Sequence, residues 1–157
     1  MNNSNFIYKG EVSLSYQNRK FVGHNVGSQA LFDTFADFLA GGGYNQLLRP
    51  RYLMLYDDSA NNVVNKSVGE LISNNLLTGY ALLSSTVEKV DEHKYATFTT
   101  TIKFPDEEGI SGCIALIDGN KEKILAAHDV SGITSGSSVL IKWKMCIDNA
   151  PVPKATE

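Results

Sequence analysis

The stretch Ser28-Gln-Ala-Leu-Phe-Asp-Thr-Phe-Ala-Asp-Phe-Leu-Ala-Gly-Gly-Gly43 decides the reading of this chain, because it is the one segment with a helical period. Ser28 is placed as an N-cap, its hydroxyl able to accept from a backbone N–H left free in the first turn. Leu31, Phe32, Phe35, Phe38 and Leu39 recur at the spacing of an apolar helical stripe. Asp33 and Asp37 lie one turn apart, away from the middle of that stripe. The run Gly41-Gly42-Gly43 stops the helix, since glycine adopts the left-handed cap conformation without a Cβ penalty. A stripe this apolar predicts a helix packed on a sheet, at about 1.5–3 kcal/mol for each large side chain fully buried.

On both sides of this helix the pattern is that of strands. Val12, Leu14 and Tyr16 alternate with Glu11, Ser13 and Ser15, and Gln17-Asn18-Arg19 turns the chain into Lys20-Phe21-Val22. Gly23 to Gly27 bends it into the helix. Tyr44 to Pro50 reads as an irregular connector, and Arg51 to Tyr56 as a compact apolar strand. Asp57 to Ser67 is a polar Asn/Asp/Ser loop, the longest irregular segment. Val68 to Asn75 fits either a short helical turn or a linking segment. Two long strands, Tyr80 to Val90 and Tyr95 to Phe104, are expected to join at Asp91-Glu92-His93-Lys94. In the second of them Ala96, Phe98, Thr100, Ile102 and Phe104 share one face, and Thr97, Thr99 and Thr101 a solvated or partner-facing one. Ile110 to Ile117 and Lys123 to His128 form a hairpin around Asp118-Gly119-Asn120. Val139, Ile141, Trp143 and Met145 mark one face of a final strand, with Lys142 and Lys144 on the other.

This regular spacing of strands and turns predicts a mainly β fold: an antiparallel β-sandwich of about seven or eight strands with one packed α-helix near residues 28–40. The expected organisation is a flexible N-terminal arm at 1–7, one β-sandwich domain at 8–148 and a flexible C-terminal tail at 149–157. At 157 residues, with 43% hydrophobic and 20% charged, the chain suits a single globular domain. A net charge of −3 without a basic stripe argues against nucleic-acid binding. The apolar runs are too short to span a bilayer as helices, and the first residues do not read as a secretory signal.

No catalytic, cofactor-binding or metal-ligating residue is expected. His24, His93 and His128 are scattered without paired-ligand spacing. Asp57, Asp58, Asn61 and Asn62 lack the glycine and distal glutamate of a calcium loop. The serines around Ser84-Ser85 and Ser135 to Ser138 lack a nucleophile elbow. Cys113 and Cys146, the two cysteines, sit within strands and read as reduced core thiols. Gly41-Gly42-Gly43 follows a helix, whereas a phosphate loop must precede one. Trp143 shares its face with Val139, Ile141 and Met145 and reads as core. Tyr44, Tyr52, Tyr56 and Tyr80 are the weaker candidates for stacking on a glycan.

The order of features resembles a known group. A hairpin runs into His24-Asn25-Val26-Gly27-Ser28, then a Leu/Phe helix ends in Ala40-Gly41. Pro50-Arg51-Tyr52-Leu53-Met54-Leu55-Tyr56 follows, then Cys113-Ile-Ala-Leu-Ile117 and the closing Val139-Leu-Ile-Lys-Trp-Lys144. Over residues 8–147 this is similar to small virion structural proteins of short-tailed bacteriophages of gut bacteria, found in the collar, tail or fibres. The resemblance implies a non-enzymatic subunit, many copies in a symmetric ring or fibre, and no cofactor. Its expected partners are other virion structural proteins and copies of itself, and its expected place is the virion, after assembly in the bacterial host cytoplasm. A glycan- or receptor-binding β-sandwich module is the alternative.

Overall fold

The computed structural model describes residues 6–41, 49–106 and 111–149. They form two antiparallel sheets of five strands each, the expected sandwich. The first sheet takes β1 (Phe6–Tyr16), β2 (Arg19–His24), β6 (Ser84–Val90), β7 (His93–Lys103) and β10 (Ser138–Asn149), in the order β2-β1-β10-β7-β6. The second takes β3 (Val26–Gly27), β4 (Pro50–Tyr56), β5 (Ala81–Leu82), β8 (Gly112–Asp118) and β9 (Ile124–Val130), in the order β3-β9-β8-β4-β5. The short β3 comes in addition to the strands the alternation predicts. The expected strand Tyr80–Val90 breaks at Leu83 into β5 and β6, which belong to different sheets. Leu83 is buried at that switch and its N–H donates to the Arg51 carbonyl (2.9 Å). A pattern of alternation does not reveal which sheet a strand joins.

Two hairpins close on two-residue turns. Gln17 and Asn18 have φ of 49° and 60°, and Asp91 and Glu92 of 49° and 72°. Paired positive φ values match the twist of the flanking strands. The second turn is therefore tighter than expected, and His93 and Lys94 belong to β7. The pairing of β1 with β10 reaches Phe6 opposite Asn149, so residues 6–7 and 149 continue the ladder instead of joining the arm and the tail. Residues 1–5 and 150–157, where those flexible segments were expected, lie outside the described residues, as does 44–48 of the connector.

The main core lies between the sheets. Val12, Leu14, Phe98, Ile141 and Trp143 meet Leu53, Leu55, Ile114 and Leu116 there. A second core covers the far face of the second sheet, where Met54, Tyr56, Cys113, Ala115 and Ile117 pack beneath Ala60, Val63, Val68 and Leu71. The uninterrupted apolar runs of β4 and β8 follow from this, because strands buried on both faces need not alternate. The segment 57–67, expected as an irregular loop, thus contains α2 (Ala60–Val63), with Ala60 and Val63 buried. The Ala60 N–H donates to Asp129 Oδ1 on β9 (2.7 Å). A 3₁₀ helix, Gly69–Asn74, follows and buries Leu71.

α1 (Gln29–Leu39) begins as its sequence dictates, with the Leu31 N–H donating to Ser28 Oγ (3.2 Å). Gly41 takes a φ of 80° at its end. Its burial differs from expectation. Leu31 is 5% exposed and Phe35 half-buried against the core, but Phe38 is 62% exposed and Leu39 81%. Phe32 is also largely exposed. Leu31, Phe35 and Phe38 lie on one stripe, so the helix outruns the surface it packs on. On the threonine face Thr101 is exposed and Thr99 half-buried, as expected, and only Thr97 departs. Thr97 is buried, because Glu88 of β6 bridges to Lys142 (3.1 Å) and Lys144 (3.4 Å) of β10 across the intervening β7.

Candidate functional site

The first half of α1, through Leu31, Thr34 and Phe35, borders a cavity of about 400 Å³. Leu31 and Phe35 of the helix, Ala96 and Phe98 of β7, and Met145 and Cys146 of β10 supply its apolar lining. Arg49 and Lys94 supply its cations. Further apolar exposure lies on the two edge strands of the first sheet, Phe21 and Val22 on β2 and Val87 and Val90 on β6.

The tyrosine candidates separate. Tyr52 and Tyr80 come together edge to face, with ring centroids 6.2 Å apart. The Lys121 ammonium stands 4.8 Å from one ring centroid and 5.1 Å from the other. Both rings are half-buried. Tyr56 is fully buried in the second core, where loss of solvent raises its pKa, with smaller contributions from Tyr80 and Cys113. Trp143 is core, as its strand face predicts. Tyr44 lies outside the described residues.

Asp58 and Asp118 make hydrogen bonds within the fold. Asp58 Oδ1 accepts from the Ser59 N–H (2.8 Å) and Asn62 Nδ2 (3.0 Å), and Oδ2 bridges to Lys66 (3.4 Å). These bonds, Asn62 foremost, hold its carboxyl below the usual range. Cys113 and Cys146 are free thiols on strands of different sheets. Burial pushes the Cys113 thiol up to about 12, with the charges of Asp129 and Asp58 adding to it, which favours the protonated thiol at neutral pH. Asp118, not singled out by its sequence, is buried in the β8–β9 turn. Its Oδ1 accepts from the Glu122 (2.9 Å) and Lys123 (3.0 Å) N–H groups. Among the described residues no group of three or more His, Cys, Asp or Glu side chains could hold a metal ion. No described helix is long and apolar enough to cross a membrane.

His128 faces the inter-sheet seam with Leu14, Phe21 and Val130. A Cβ on Gly23 of β2 would stand 2.5 Å from its Nε2, so the ring uses space only glycine leaves. Burial lowers the His128 pKa and the charge of His24 lowers it further, while Asp129 opposes both. A histidine with a depressed folded pKa stabilises fully above its unfolded value, about 6.5, and loses that contribution as pH falls toward the folded value. Denaturation midpoints at about pH 7.5 and about pH 5.5 are therefore expected to differ more for the wild type than for His128→Gln. Equal differences would refute this account.

Compared with known protein families, with curated proteins and with solved structures, the chain matches none.

Proposed function

We propose that the chain is a non-enzymatic structural component of a tailed-phage virion, in its tail, collar or fibre apparatus, working by oligomeric assembly with other virion proteins and copies of itself. The observation that carries assembly is where apolar surface is left exposed: the free end of α1 and the edge strands β2 and β6. Edge strands present unpaired backbone groups, and contiguous apolar patches favour protein contacts. Asp58, Asp118 and Asp129, by contrast, accept hydrogen bonds that build the start of α2 and a turn. The phage assignment is supported by the feature order from His24 through the closing Lys144 strand.

Gradient-purified virions test this reading by quantitative mass spectrometry and immunogold labelling. A constant copy number, with label at one place on the tail, is expected. Absence from the particles overturns it. The glycan alternative rests on the Tyr52–Tyr80 pair beneath Lys121. Glycan-array binding abolished by Tyr80→Ala would favour that alternative.

A further inference from the structure

We propose that the groove beside α1 is a binding site for a long-chain carboxylate, its alkyl chain lying on the apolar floor and its anionic head held by lysines at the rim. The site goes beyond the assembly reading and does not rest on it. Three observations carry it. The first is the floor. The groove has a volume of about 400 Å³, within the range of about 300–1,000 Å³ usual for small-molecule sites. Leu31 and Phe35 of the helix and Ala96, Phe98 and Met145 of the sheet line it. A second hollow shares Ala96 and Phe98 and reaches Val87 of the edge strand β6, which is 72% exposed. The apolar surface therefore runs on from the helix to the sheet edge.

The second is charge. Lys94 of β7 lines the groove and stands directly opposite Lys89 of β6. Residues opposed on antiparallel strands share a face, and like charges so placed are destabilising. Neither lysine has an ion-pair partner among the described residues. Glu88, next to Lys89 in sequence, is turned to the other face, where it bridges to Lys142 and Lys144. An anion set between Lys89 and Lys94 relieves their repulsion and accepts charge-assisted hydrogen bonds. The third is the scarcity of neutral hydrogen-bonding groups. A bound peptide would bring backbone N–H and C=O groups that need partners. Thr34 carries the one hydroxyl in the described lining, and it already donates to the Ala30 carbonyl (2.8 Å). An alkyl chain makes no such demand and gains with each methylene it buries.

Isothermal titration calorimetry of the full chain tests this with decanoate, with decyltrimethylammonium and with butyrate at neutral pH. Decanoate is expected to saturate at one per chain, and neither the cation of equal chain length nor the short acid to do so. Trp143 lies opposite Phe98 and is the sole tryptophan, so a change in its fluorescence on titration gives a second readout. Lys94→Glu and Lys89→Glu are each expected to weaken decanoate binding by about tenfold or more. Ala96→Phe, which fills the groove from an exposed position, is expected to abolish it. All three side chains are exposed, so the ligand-free melting temperatures are expected to stay at the wild-type value, and Lys89→Glu tests the charge without touching the lining. The absence of saturable decanoate binding overturns the proposal. So does equal binding of decanoate and decyltrimethylammonium, or decanoate binding indifferent to Ala96→Phe. A dimer in light scattering that Ala96→Phe dissociates would give the groove to a second copy and overturns it as well. The virion role stands or falls on particle analysis alone, whichever result the titrations give.

Discussion

Trp143→Ala is expected to destabilise the protein by about 3–5 kcal/mol, the range for deleting a large aromatic side chain from a core. Trp143 is fully buried on β10, the middle strand of its sheet, between Val12 of β1 and Phe98 of β7. No nearby element is free to fill the space, because both neighbouring strands are held by continuous ladders. The indole N–H has no acceptor among the described residues. Trp143→Phe therefore keeps most of the ring volume and removes a buried unsatisfied donor, whose burial costs about 1–3 kcal/mol. It is expected to cost far less than Trp143→Ala. Chemical denaturation followed by circular dichroism measures both, since the chain holds a single tryptophan. Equal losses would mean that the indole makes a contact this account lacks.

Gly112→Ala is expected to cost about 1–3 kcal/mol or more, by overpacking instead of by a cavity. A Cβ at Gly112 would sit well inside contact distance of the Tyr56 carbonyl oxygen on β4, with Asp57 close behind. That wall is backbone, so relief requires β4 and β8 to part where both of their faces are covered. Gly79→Ala is the control, because a Cβ there would meet nothing within 4 Å. Thermal melts of the two variants should separate clearly, and coincidence would show that the strands yield at little cost.

Much of the architecture is legible in local sequence. Alternation at Val12, Leu14 and Tyr16, the Ser28 cap, and the apolar Val139–Met145 face each reflect constraints acting within a few residues, and each holds in the fold. The buried place of Trp143 follows from the same alternation. The candidate site is less legible. The residues of the groove come from α1, β4, β7 and β10 and from Arg49, Leu31 and Cys146 lying more than a hundred positions apart, and no spacing in the chain signals that they meet. The Tyr52–Tyr80–Lys121 cluster is assembled in the same way across β4, the approach to β5 and the β8–β9 turn.

By itself the sequence determined that strands flank the Ser28-capped helix and that two antiparallel layers enclose an apolar core. Only the tertiary structure decided that Leu83 divides one apparent strand between two sheets, that residues 57–67 fold onto the second sheet, and that α1 extends beyond its support. The physical reason is that periodicity reports which side of an element is apolar, whereas burial depends on how far the opposing surface reaches. Leu31, Phe35 and Phe38 are equivalent along the helix and differ only in whether the sheet continues beneath them.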